Sequence, residues 1–155
     1  MEYLVLKFLH IIGAAVLFGT GIGIAYFMLQ AHLTRDAKII AGVSRIVVVA
    51  DFLFTATAVV LQPITGLMLA QLVGYPVFSG WIAWSLALYV AVGCLWLPVV
   101  WMQAKLRDLA SLAAANASPL PDAYHRLFRI WFAFGVPAFL AVLAIFWLMI
   151  AKPAL

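Results

Sequence analysis

Three histidines are the side chains best suited to hold a metal or a cofactor, and His10 has the most unusual environment. It lies inside the apolar run from Leu4 to Leu29, where the hydrocarbon of a bilayer is expected. A polar side chain in hydrocarbon is costly unless it has a partner or a function, so it is a functional-site candidate by default. The sequence therefore identifies His10 as a candidate metal ligand.

Small residues accompany His10 along the same helix, at Gly13, Ala14, Gly21 and Ala25. Such residues allow either a neighbouring helix or a flat macrocycle to approach the backbone closely. Close helix packing and haem binding are therefore two open interpretations of this stripe.

A second histidine cannot share a ligand with His10 in one chain. His32 lies about 33 Å away along the helix, although the two project within about 40° of each other around its axis. Met68 is the preferred candidate for the opposite position on an iron, and a gap-filling core methionine is the alternative. Three other candidates at a similar depth are Gln62, Thr65 and Tyr89.

A second cluster is expected on the cytoplasmic side of the membrane, where the first helix ends and the last helix begins. It contains His32, His125, Arg126 and Arg129. Arginines about one turn apart can bind carboxylates or phosphates, so the sequence predicts that these four residues bind a cofactor. Contact with lipid headgroups is the alternative, and two histidines without a nearby Glu or Cys are a weak signal for zinc.

Asp51 is the only acidic residue well inside a predicted span. It must meet another helix, accept hydrogen bonds or stay protonated, so a proton relay and a structural aspartate are both open. Gln62 is grouped with it as part of a polar core. Pro63, Pro98 and Pro137 interrupt three spans and release carbonyls that kink a helix or line a cavity.

All of these residues depend on membrane-spanning helices for their positions. The 155 residues are 68% hydrophobic and 9% charged, with a mean hydropathy of +1.19, which places the chain in the membrane class. Four runs reach the roughly 20 apolar residues that a spanning helix needs, without the alternation of barrel strands. The sequence predicts an all-α, polytopic membrane protein: a single domain over 1–155, built as an up-down bundle of four transmembrane helices at about 4–30, 39–72, 81–113 and 123–151.

The basic residues predict the orientation in the membrane. The positive-inside rule places the first and third connections in the cytoplasm and both termini outside (N-out, C-out). We therefore interpret the basic residues behind the net charge of +4 as determinants of membrane orientation, and we expect no nucleic-acid partner. The first run exceeds the 7–15 residues of a signal-peptide core, so we expect it to be retained. The side opposite the cytoplasm has Lys7 and Lys152. The cytoplasmic connections and the helix ends that flank them carry seven basic residues: Arg35, Lys38, Arg45, Lys105, Arg107, Arg126 and Arg129.

Several function classes lack their signatures. Cys94 is the only cysteine, so neither an intramolecular disulfide nor a thiolate metal cage can form. The sequence contains no nucleophile-base-acid trio, Walker motif or dinucleotide fingerprint. Four helices without a detectable repeat also argue against a classical inverted-repeat transporter. Whether the protein is an enzyme is left open by the residues themselves.

Residues 6–12, LKFLHII, resemble the opening of the HemJ-type protoporphyrinogen oxidases. Residues 26–32, 126–130 and 150–153 are similar to the end of that family's first helix and to its last helix, whereas the third span lacks its histidines. Residues 50–55 and 61–66 look closer to an uncharacterised family of small bacterial integral membrane proteins. The resemblance implies a four-helix bundle of the bacterial inner membrane that binds haem b or a porphyrin. His10 is the ligand position that the resemblance carries over most directly, and His32 is the second.

Two function classes follow. The leading hypothesis is a haem b- or porphyrin-binding protein of the cytoplasmic membrane, active in electron transfer or porphyrin oxidation. His10 would be its axial ligand, with Met68 or an open position opposite. The alternative is a cofactor-free membrane protein that forms a homo-oligomer, binds a partner or passes a small solute by a route lined by Asp51 and the helix prolines.

Overall fold

The computed structural model describes residues 1–154, which form long helices joined by short connections, with no strand in that range. The second span is continuous from Ala37 to Val73, so four helices are long and apolar enough to cross a membrane. The predicted all-α membrane bundle is therefore confirmed. The elements are α1 Glu2–Thr34, α2 Ala37–Ala50, a π-helical turn Asp51–Thr55, α3 Ala56–Val73, α4 Gly80–Ala115 and α5 Asp122–Ala151.

Local sequence signals explain where the helices change direction. Arg35 adopts a left-handed conformation with φ of 56° after α1, and Asp36 then caps α2. The Asp36 carboxylate accepts hydrogen bonds from the backbone N–H groups of Lys38 at 2.7 Å and Ile39 at 3.3 Å. These caps satisfy donors that the first turn of a helix leaves free. Gly74, with φ of 76°, ends α3 in the same left-handed way.

The bundle has two ends that differ in packing. We call the end with residues 2, 74–79 and 151 the terminal side, and the end with the connections 35–36 and 116–121 the basic side. The α4 helix packs on α5 and α2, while α1 packs on α2 and α3. The main apolar cluster lies toward the basic side and includes Met28, Ile40, Leu106, Tyr124 and Phe128.

Apolar side chains of α1 near the terminal side point outward instead of into a core. Phe8, Leu9, Ile11 and Ile12 are each exposed by about half or more. Side chains of this kind are suited to lipid tails, which is the expected environment of a spanning helix. The His10 site therefore lies in the more thinly packed half of the bundle.

The three helix prolines and the π turn lie at different positions in the chain. Pro63, Pro98 and Pro137 lie inside α-helices, and the departure from α geometry falls at the π turn, which the proline pattern does not predict. Pro63 has no N–H and leaves the carbonyl of Val59 without its usual partner. The hydroxyl of Tyr89 on α4 donates a hydrogen bond to that carbonyl. The proline thus creates an acceptor through which α4 is attached to α3.

We expect Tyr89→Phe to lower the free energy of unfolding by about 1–3 kcal/mol, because the Val59 carbonyl is left unsatisfied in an apolar environment. Thermal unfolding in detergent measures the loss. Pro63→Ala supplies the missing N–H, so Tyr89→Phe should cost less in a Pro63→Ala background. An equal loss of unfolding free energy in both backgrounds would contradict the hydrogen bond between Tyr89 and the carbonyl that Pro63 leaves free.

Candidate functional site

His10 faces α3 and is partly buried between the two helices. Its Nδ1 lies 2.8 Å from the hydroxyl oxygen of Thr65, although the two residues are 55 positions apart in the sequence. This contact places the imidazole at the interface between α1 and α3. The ring is therefore partly buried and has a specific polar partner.

The hydrogen bonds of the Thr65 hydroxyl indicate which nitrogen of the His10 ring carries the proton. Its oxygen also lies 2.8 Å from the carbonyl of Leu61 and 3.2 Å from that of Gln62, and both carbonyls can only accept. A hydroxyl has one proton and commonly donates it to the carbonyl four residues back in a helix. The lone pairs of Thr65 then accept from Nδ1–H of His10. Nε2 is left with a free lone pair, as in a metal-binding histidine oriented by its other nitrogen.

Gln62 forms a second connection between the helices. Its side-chain amide donates to the backbone carbonyl of His10 at 2.9 Å. Gly13 makes this approach possible, since a Cβ there would collide with the Gln62 amide. At Gly13 the structure thus favours close helix packing over macrocycle binding.

Gly66 provides the space for the imidazole itself. A Cβ at this position would lie 3.1 Å from Cε1 of His10, closer than an ordinary van der Waals contact. The absence of a side chain lets the ring lie against the α3 backbone, one residue beyond Thr65. Gly66 was not singled out among the candidate site residues, and only the approach of α1 reveals its role.

Met68 occupies a different environment. It is 41% exposed and lines a shallow groove on the terminal side with Glu2, Gln71 and Leu72. Its role as the second iron ligand stays a prediction.

The structure brings His32 and His125 together on the basic side, with ring centroids 5.9 Å apart. The His32 ring stacks on Phe128 at 3.8 Å and nearly parallel, and its Nδ1 lies 3.4 Å from the hydroxyl of Tyr124. Tyr124 is fully buried. These contacts make His32 part of an aromatic stack that attaches α1 to α5.

The two arginines predicted to belong to this cluster, Arg126 and Arg129, are exposed on α5 beside this stack. Arg126 lines an open groove between α4 and α5 with Trp101, Lys105 and Leu109. Arg129 lies one turn further along the same helix. The geometry leaves both guanidinium groups free to meet anionic groups at a membrane surface.

Asp51 begins the π turn and is 4% exposed. The hydroxyl of Thr55 and the indole N–H of Trp96 lie near its carboxyl group but outside hydrogen-bonding geometry. Within residues 1–154, Oδ2 of Asp51 has no hydrogen-bond partner. Sequence reasoning identified Asp51 and Gln62 but missed Thr55 and Trp96.

The donors around His10 limit what it can bind. Among residues 1–154, no three His, Cys, Asp or Glu side chains come close enough to hold a metal ion. A single imidazole suits a metal whose other ligands come from a macrocycle, as iron does in haem. The residues present are thus compatible with haem and do not form a site for a bare ion.

The chain belongs to the family described as predicted integral membrane protein (DUF2269), whose pattern it matches over residues 4–153. The family description assigns no activity, and this match supports the uncharacterised membrane family rather than the oxidases. Comparison with curated proteins and with solved structures gave no significant match.

We expect Gly13→Ala to destabilise the protein by about 1–3 kcal/mol, because the new methyl group forces the Gln62 amide away from the His10 carbonyl. Gly21→Ala is the matched control on the same helix, since nothing lies within 4 Å of a Cβ there. Its effect should stay within about 1 kcal/mol. Unfolding in detergent compares the two, and similar stabilities would show that Gly13 is not a close contact.

Proposed function

We propose that this member of the DUF2269 family binds haem b or a related porphyrin within the membrane, and that His10 would hold the iron of a bound haem. The observation that carries the proposal is the Thr65 hydroxyl, which engages Nδ1 at 2.8 Å and leaves Nε2 free to bind a metal. The resemblance of residues 6–12 to the start of HemJ-type oxidases supports the same residue.

The surrounding residues would hold the imidazole in a fixed orientation. Thr65 fixes the tautomer, and Gly66 lets the ring lie against the helix. Gln62 links the backbone of His10 to α3 and so limits relative movement of the two helices. An oriented ligand in a low-dielectric site is the protein's contribution in haem proteins. When bound, haem would supply one-electron redox chemistry.

The basic side serves a separate purpose in this proposal. The cluster formed by His32, His125, Arg126 and Arg129 lies at the opposite end of the bundle, and its member on α1, His32, is about 33 Å from His10 along that helix. Arg107, paired with Asp108 at 2.8 Å, is the one basic residue with an ion pair among residues 1–154. We assign the arginines of the cluster to lipid phosphates, which fits an inner-membrane protein with N-out, C-out orientation.

The test is an absorption spectrum and a pyridine haemochrome assay on detergent-purified protein, expressed with a haem precursor. Wild-type protein should show a Soret band, and His10→Ala should lose the bound haem because the iron loses its protein ligand. Thr65→Val should retain haem with a shifted spectrum, since it removes only the orienting hydroxyl.

The matched control is His125→Ala, which removes an exposed histidine at the opposite end of the bundle. It should retain the Soret band of the wild type. Loss of haem in His125→Ala but not in His10→Ala would assign the ligand to the basic side. A wild-type protein that takes up no haem even on titration would overturn the proposal.

A further inference from the structure

A stripe of polar side chains lines the buried face of the second span. The residues recur at intervals of seven, four, seven and three positions, which keeps them on one side of a helix. All are less than 9% exposed. They are Ser44, Asp51, Thr55, Gln62 and Thr65.

The α4 helix presents a matching stripe. Ser85, Tyr89, Trp96 and Gln103 follow one another at intervals of four, seven and seven residues. The Tyr89 hydroxyl donates to α3 at Val59, and the indole of Trp96 lies near Asp51. We call the two stripes together the polar seam.

The seam is as long as the membrane is thick. From Ser44 to Thr65 the second span rises about 32 Å at 1.5 Å per residue. The hydrocarbon core of a bilayer measures about 30 Å. Polar groups are therefore available at successive depths from one side of the hydrocarbon to the other.

Unsatisfied buried atoms concentrate in this seam. Across residues 1–154, five buried side-chain polar atoms have no hydrogen-bond partner, and four of them belong to Asp51, Thr55, Trp96 and Gln103. Such atoms are expensive inside a membrane protein and are found where they have a function. The π turn that begins at Asp51 is a second irregularity at the same depth, and π turns are frequent at functional sites.

We propose that the polar seam is a proton-transfer route across the membrane, with the Asp51 carboxyl as the proton-binding group at its middle. The carboxylate accepts a proton from one side, forming an O–H bond, and releases the same proton to the other side as that bond breaks. Steps between seam residues longer than a hydrogen bond would be bridged by water. This activity does not depend on haem.

The chemistry of the seam favours a proton over a metal cation. Thr55 and Trp96 lie near the carboxyl, and neither side chain carries a charge. The indole N–H only donates and cannot coordinate a cation. One carboxylate with such neighbours is a poor cage for Na⁺ or K⁺ but can bind and release a proton.

The experiment uses the full chain in liposomes that contain a pH-sensitive dye, with a K⁺ gradient and valinomycin to impose a potential. Wild-type vesicles should acidify faster than protein-free vesicles. Asp51→Asn keeps the shape of the side chain and removes its titratable proton, so its flux should fall to the protein-free level. Trp96→Phe should reduce the flux as well, since it removes the N–H that lies near the carboxyl.

The matched control is Asp108→Asn, which alters an exposed carboxylate outside the seam and should leave the flux unchanged. Wild-type flux equal to that of empty vesicles, or full flux in Asp51→Asn, would overturn the proposal. A flux carried by Na⁺ or K⁺ in place of protons would also overturn it.

Infrared difference spectroscopy gives a readout that does not require transport. A carboxylic-acid C=O band that titrates with pH in wild type and is absent in Asp51→Asn is the expected result. If Asp51→Asn does not fold in detergent, Trp96→Phe should shift this band while retaining it. A wild-type protein whose seam shows no titrating carboxyl band would contradict the role of Asp51.

Discussion

Polar groups inside a membrane must find their partners within the protein, and this constraint explains how the helices of the bundle are arranged. Lipid tails are as apolar as the side chains that face them, so apolar contact alone does little to select one helix face over another. Polar contacts with defined geometry make that selection. The imidazole of His10 meets Thr65, the Gln62 amide meets the His10 carbonyl, and the Tyr89 hydroxyl meets the Val59 carbonyl.

The two ends of the bundle are held together in different ways. On the basic side, packed apolar and aromatic residues such as Met28, Leu106 and Phe128 fill the space between helices. Toward the terminal side, fewer side chains are buried, and α1 and α3 are joined by the polar contacts of His10 and Gln62. A site that must admit a ligand or a proton is easier to place where the packing is thinner, because dense cores leave little room for either.

Glycine and proline have specific structural uses in the second span and its neighbours. Gly13 and Gly66 allow backbone and side chain to approach more closely than any other residue type permits. Pro63 removes a backbone donor and thereby creates an acceptor for Tyr89. The π turn at Asp51 adds a further irregularity within the same helix. Together these features concentrate the polar chemistry of the protein along one helix.

The sequence by itself determined the number of spans and the all-α class, because hydropathy and run length are local properties. It also identified His10, Asp51 and Gln62 as polar residues in apolar segments. Tertiary structure alone decided that His10 meets Thr65, that Gly66 receives the ring, and that Trp96 lies near Asp51. The physical reason is that α1 is apolar on all sides, so its sequence does not specify which face is buried. That face is set by contacts between residues far apart in the chain, as the 55-residue separation of His10 and Thr65 shows.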